Sequence, residues 1–430
     1  MKDMSIFKIV VLAVFALAFV TGVILFAISK GFSSPAVNLV VWGTIPSEAF
    51  DLAYRNSSIY NSEIIKINYL KKNTSNFDAD FVESLADGIG PDIVILREDS
   101  IYKNRNKIFV IPYKNYSERV FKDSFIEEGE LFLSPEGVMG VPFIIDPMVM
   151  YWNRDIFSNN LVSQPPKYWD EMNTLVNKIT KKDSAGNVLQ STVALGEWRN
   201  ITNSKEIISL LLLQAGTPIV SRDSNGALIS VLNGSFDRPI KPSQSAISFF
   251  TQFSNPTAPT YTWNRSLPSS LNFFLSGNLA TYLGFASEIF SIQQKNSNLN
   301  FDVTYIPQIR DTTKKTNFAH IYALAIVRQS REAPSAYTAI RALTEAGAIK
   351  ALEAATNLPP VRRDLLADQP SDAFRAVFYN SALISSSWID PNPVATASIF
   401  RDMIEGVTGG RVRLSDGLNK ANQDLSAELK

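Results

Sequence analysis

Apolar positions divide this chain before any chemistry is considered. Residues Ile9 to Ile28 are apolar apart from Thr21 and Gly22, and Lys2 and Lys8 precede them. Such a run matches the ~20 residues that span a bilayer and exceeds the ~7–15 of a signal-peptide core. Beyond it, Val37 to Val41 reads as a short strand ending at Trp42-Gly43, and Ser47 is placed to cap a helix carrying Phe50, Ala53 and Tyr54. Ile65, Ile67 and Tyr69 alternate with Lys66 and Asn68 as a half-buried strand does. Phe77, Phe81 and Leu85 mark a second helix, and Asp92 to Leu96 is a fully apolar strand. Strand, helix, strand, helix, strand predicts a parallel sheet covered on both faces. Ligands of such sheets bind outside the carboxyl ends of the strands. Those ends are Trp42-Gly43, Lys71 to Asn73 and Arg97-Glu98-Asp99.

The stretch Gly137 to Met172 organises the remainder. An extended apolar run enters Asp146-Pro147, continues through Met148 to Trp152, breaks at Asn153-Arg154-Asp155 and restarts as a helix after Pro165-Pro166. Proline fixes its own backbone angle and offers no N–H, so each marks a place where the chain turns without losing a ladder bond. The stretch therefore predicts a strand crossing between two bodies, then the first helix of the second. Trp169, Met172, Val176 and Ile179 recur at helical spacing there. Further on, strands are expected at Thr192 to Leu195, Leu279 to Phe285, Phe301 to Ile306 and Ile321 to Val327, with a hairpin turning at Asp223 to Gly226. Helices are expected at Lys205 to Gln214, around Phe249-Phe250, from Ala333 to Thr356, and twice more before the end. The second body is also α/β.

Composition narrows the function classes. Lys plus Arg and Asp plus Glu balance at 41 each, so no basic surplus points to nucleic acid. The absence of cysteine removes disulfides, thiolate metal sites, cysteine nucleophiles and lipid attachment through an amino-terminal Cys. A tether must then be the helix, and the lysines before it place residues 1–8 in the cytoplasm and 31–430 outside. The alternative is a signal peptide cleaved near Ala27-Ile28-Ser29.

Several blocks, in order, resemble extracellular solute-binding proteins of ABC importers, the maltose-binding-like group. They are G-P-D-I-V, the crossover Y-W-N-R-D-I-F with P-P-K-Y-W-D-E-M, L-L-L-Q-A-G, F-L-S-G-N-L-A-T-Y-L-G, T-Y-I-P-Q and L-P-P-V-R-R-D-L. The likeness spans residues 37 to 430 and implies a two-lobe α/β fold of the periplasmic-binding-protein type II, with hinge strands and a ligand enclosed as the lobes close. The apolar run gives a transmembrane anchor at 9–28 and the polar stretch after it a linker at 29–36, while the resemblance implies a first lobe of 37–147 and 320–358 and a second of 148–319 and 359–430.

A sugar site needs aromatic platforms for C–H faces beside hydrogen-bonding groups for polar edges. Trp42, Trp198, Trp263 and Trp388 sit in polar contexts at the expected cleft, with Phe285 near them. Glu98, Asp146, Glu288, Asn200 and Ser287 are the candidate hydroxyl partners, and Glu197 a further acid. Glu127-Glu128-Gly129-Glu130 is expected to be a solvated face, and Arg362-Arg363 to meet a helix carboxyl end or solvent. One histidine, His320, and no phosphate-cradling glycine loop leave no triad, no multi-histidine metal site and no ATP site of the usual kind. No cofactor is expected. The reading is a membrane-anchored receptor that captures a sugar or oligosaccharide for importer permease subunits. An anchored sensor or adhesion module, and a glycoside hydrolase using paired carboxylates, are the other classes the same residues allow.

Overall fold

The computed structural model describes residues 6–29 and 36–430. One helix, α1 (Ile6–Ser29), precedes the body; its 24 residues span about 36 Å, enough for the roughly 30 Å hydrocarbon core of a bilayer. The side chains from Ile6 to Ile24 are exposed, so the body covers none of that apolar surface. The expected linker at 29–36 lies outside the described residues except at its ends.

The first body opens with β1 (Val37–Gly43), α2 (Ser47–Arg55), β2 (Ile65–Lys71), α3 (Phe77–Ala86) and β3 (Ile93–Arg97). β1 lies between β2 and β3, parallel to both, as the alternation predicts. Ser47 does not cap α2. Pro46 holds the extended N-cap conformation, and Ser47 is the first helical residue with no side-chain bond to the helix end.

The crossover is a single strand of 13 residues, Val141–Asn153, and only Trp152 within it is not buried. Its first half pairs antiparallel with the return strand Ala319–Val327, which in turn pairs with β3. Its second half pairs antiparallel with Leu279–Phe285 on one side and Phe301–Thr304 on the other. The handover falls at Pro147: Ala319 is its partner, and the next N–H, on Met148, already donates to Phe318. Between Pro142 and Ile144 the register shifts, so Phe143 is the extra residue of a bulge beside a proline that has no ladder bond to give. One continuous sheet results, in which Leu279–Phe285 leads on to the parallel strand Val188–Val193. Strands buried on both faces are near-continuous apolar runs, the pattern seen in Val141–Asn153 apart from Asp146 and Asn153 and in Leu279–Phe285 apart from Thr281.

The stretch expected as one helix from Ala333 to Thr356 is two, Ala333–Leu343 and Ala346–Thr356. Thr344 ends the first, its hydroxyl turned back onto the Ile340 carbonyl. Arg362 donates to the Thr344 carbonyl at that end, and Arg363 to the Lys122 carbonyl at the end of the helix Glu118–Ser124. Residues 361–363 thus bond to the first body before Ala373–Leu383 packs on the crossover strand and on Phe301–Thr304. The acidic stretch at 127–130 is not uniformly solvated. Glu128 is 4% exposed, both its oxygens lack a partner, and burial, with the charge of Glu98 behind it, pushes its carboxyl well above the usual range.

The buried Tyr151 hydroxyl donates to the Phe285 carbonyl at 2.6 Å, tying the crossover strand to the end of its neighbour. Tyr151→Phe leaves that carbonyl without its hydroxyl donor. A loss of about 1–2 kcal/mol is expected, read as a lower urea midpoint at unchanged slope.

Candidate functional site

At the carboxyl end of β3 the chain turns sharply into a short helix, Glu98–Ile101. The turn puts Arg97, Glu98 and Asp99 together at the rim of the first body. Arg97 grips Asp99 through two guanidinium nitrogens, one bond being 2.9 Å. Burial alone would raise the Asp99 carboxyl, but the charge and hydrogen bonds of Arg97 outweigh it and hold the group at about 2. Glu98 is 1% exposed and turns inward. One of its oxygens lies 2.8 Å from His320 Nδ1 and the other accepts the Ile321 N–H at 2.9 Å. His320 is the cross-strand partner of Asp146 on the crossover strand, so it sits at the handover itself. Its ring stacks on Phe285 with centroids 4.4 Å apart.

The second body meets this rim with the start of the helix Ser204–Ala215 and with the segment 385–391. Lys205 pairs with Asp390 and also reaches the Pro393 carbonyl. Asp390 further accepts from the Thr396 hydroxyl and the Asn392 N–H; burial raises its carboxyl, with Lys205 opposing. Trp388 is buried, stacked on Phe400, its indole N–H donating to Ser209 at 3.1 Å. Glu206 spans the gap: its carboxylate stands 3.9 Å from His320 Nε2. Two cavities lie between the bodies. The inner one, about 10 Å³, is bounded by Glu98, Asp99, Lys205, Glu206, His320, Trp388 and Asp390 among others. The outer one, about 410 Å³, shares Asp99, Lys205 and Glu206 and adds Arg97, Trp198 and Arg199. A larger recess of about 590 Å³ lies elsewhere, between Pro165–Tyr168 and Tyr305, with no carboxylate in its wall.

Of the residues singled out from sequence, Glu98, Trp198 and Trp388 line these cavities. Phe285 and Asp146 stand directly behind His320. Asp146 accepts the Ser287 N–H across the bodies at 3.0 Å, and burial raises its carboxyl to about 6 against that bond. The other expectations need correction. Trp263 is fully buried and packs edge-on against Phe273 at 5.6 Å, and its indole N–H donates to Asn200, whose amide nitrogen donates to the Asn264 and Leu267 carbonyls. Both are core. Trp42 is buried under Lys72, whose ammonium lies 3.6 Å from its ring, and it lines neither cavity. Glu288 is consumed by the Phe285 N–H, the Asn203 amide and the Tyr282 hydroxyl. Ser287 is exposed and enters only through its backbone. Glu197 is paired with Arg265.

Sequence reasoning passed over His320, Lys205, Glu206 and Asp390, and it placed Arg97 and Asp99 at a ligand-binding sheet end without assigning them a part. Arg97 closes β3 and Asp99 lies in the short helix after it, at the sheet end where ligands bind. Lys205 and Glu206 open a helix, a position at which an acid is favoured by the helix dipole whatever its task.

Residues 65–378 match the family described as bacterial extracellular solute-binding protein. Among curated proteins none matches the chain by sequence. Solved structures do match by shape. A cyclic alpha-maltosyl-1,6-maltose binding protein from Arthrobacter globiformis superposes at a TM-score of 0.73 with 14% identity, over 92% of this chain and 99% of that one. The sugar-binding protein MalE from Xanthomonas citri gives 0.71 with 17% identity, over 91% and 97%. An ABC transporter solute binding protein from Thermotoga lettingae, bound with alpha-D-tagatose, gives 0.65 with 16% identity, over 92% and 100%. At these identities the likeness is one of fold.

Two outcomes follow from the geometry. Trp263→Ala empties a fully buried site and is expected to cost about 3–5 kcal/mol, while Trp198→Ala, at the open recess, costs under about 1 kcal/mol in the same urea titration. Ionising Asp146 is harder in the folded chain than in the unfolded one. Its share of stability is therefore whole below the ordinary carboxyl value of 3.8 and falls away as pH rises through about 6. Asp146→Asn is expected to flatten the stability profile across that window by roughly 3 kcal/mol, measured by urea unfolding at stepped pH.

Proposed function

The chain belongs to the bacterial extracellular solute-binding protein family, and from that premise we propose that it is the membrane-anchored receptor of an ABC importer, taking a sugar or oligosaccharide between its two lobes. The observation that carries this reading is the pair of cavities between the bodies, with Trp198 and Trp388 in their walls and a ring of charged hydrogen-bonding groups around them. Indole faces suit the C–H side of a pyranose, and carboxylate, guanidinium and ammonium groups suit its hydroxyls. The solved relatives that bind malto-oligosaccharides and tagatose support the same ligand class.

In this reading the lobes are 37–147 with 320–358 and 148–319 with 359–430, the last passage making its way over the first lobe through residues 361–363. Residues 9–28 span the membrane from a cytoplasmic 1–8, and 31–430 lie outside; the length and exposed apolar surface of α1 support this. The ligand selects the closed arrangement by binding it better than the open one. No bond is made or broken in the solute, and permease subunits in other chains carry out transport.

Of the residues read from the sequence, Glu98, Trp198 and Trp388 are assigned to the ligand, with Asp146 and Phe285 positioning His320 behind it. Arg97, Asp99, Lys205, Glu206 and Asp390 join them. The test is a thermal-shift screen of the full chain in detergent micelles against mono- and oligosaccharides, amino acids and polyamines. A saccharide is expected to raise Tm with concentration, and Trp198→Ala to weaken that saccharide about tenfold or more, some 1.4 kcal/mol. A shift produced only by a non-saccharide would end the carbohydrate assignment.

A further inference from the structure

We infer that the solute carries a protonated amine: the cleft is shaped and charged for an amino sugar, its ring in the outer recess against Trp198 and its ammonium in the inner cavity beside Glu206. The inference rests on the receptor reading above and adds the ligand's charge to it.

The first observation is the charge count. Four carboxylates, Glu98, Asp99, Glu206 and Asp390, border the inner cavity, beside the single ammonium of Lys205 and the imidazole of His320. Most of that negative charge is already matched. Asp99 is held by Arg97 and Asp390 by Lys205. Glu98 takes its two bonds from His320 and the Ile321 N–H. Glu206 is left over. Among the described residues its carboxylate accepts no hydrogen bond, and the nearest nitrogen that could carry charge is His320 Nε2, 3.9 Å away. The two further cations at the outer recess are also engaged, Arg97 by Asp99 and Arg199 by Glu405 through two hydrogen bonds.

The second observation is size. A cavity of about 10 Å³ holds one water-sized group, and a primary ammonium is that size while a pyranose ring is far larger. The outer recess, about 410 Å³, falls in the range of small-molecule sites. The two share Glu206, so a ring in one and its substituent in the other meet at that carboxylate. The third is the aromatic wall. Lys205 Nζ already stands 5.8 Å from the Trp388 ring, within the distance over which an indole face attracts a cation. A metal ion is the other candidate for the charge, and among the described residues no group of three histidines or acids is arranged to hold one. An ammonium asks less, only acceptors around three N–H bonds.

A neutral sugar would leave the Glu206 carboxylate without a cation at hydrogen-bond distance as the lobes close and water leaves; an amino sugar brings one with it. The experiment is isothermal titration of the full chain in detergent at pH 7 with glucosamine, glucose and N-acetylglucosamine and the matching disaccharides, three versions of one ring with the amine charged, absent or acylated. The amine-bearing sugars are expected to bind at least about tenfold tighter than both neutral sets, the margin shrinking with added salt. Glu206→Gln, at unchanged Tm, is expected to abolish the margin. Neutral sugars binding as tightly as the amines, or a margin that survives Glu206→Gln, overturns the amine assignment and leaves the receptor reading standing. A solute of another class binding while none of the six sugars does overturns both.

Discussion

Everything in this molecule hangs on one shared strand. Val141–Asn153 completes the hydrogen-bond ladder of the first body with its first half and that of the second body with its other half. A strand cannot give the same N–H twice, so the division between bodies is set by where partners change, at Pro147, the residue with no N–H to give. The consequence reaches the site directly. His320 is placed by pairing with Asp146 one residue before the handover, and the ring it stacks on, Phe285, ends the strand paired just beyond it. The cleft's chemistry is thus built on its hinge.

Much of this architecture was legible in the sequence because burial on both faces leaves a plain signal. Leu279 to Phe285 is mostly apolar sequence, and the structure returns a fully buried strand with those bounds. The crossover announced itself through its prolines. Boundaries governed by local side-chain bonds were less legible: Thr344 ends a helix by bonding backwards, which no periodicity reveals.

The site was read less well, for a physical reason. Polar sequence surrounding an aromatic residue looks like a wet surface, but it is also what a buried segment needs when its backbone leaves regular structure. Around Trp263 the polar residues are spent internally: Thr262 is fully buried and bonds Ser191 and Thr180, and Asn200 ties Trp263 to two carbonyls. The residues that do face the cleft, among them Lys205, Glu206 and Asp390, come from stretches more than 180 positions apart, so their charges become a cluster only in three dimensions.

Glu128 carries a consequence of a different kind. It is a carboxyl sealed behind the cleft, without partners, and its affinity for a proton is higher in the folded chain than in the unfolded one. Over the interval between those two values the folded protein is one charge more basic than its composition implies, and unfolding there releases a proton to the solvent. The even tally of 41 acids and 41 bases therefore describes the extended chain better than the native one. In that interval an isoelectric focusing gel would place the two forms at different positions.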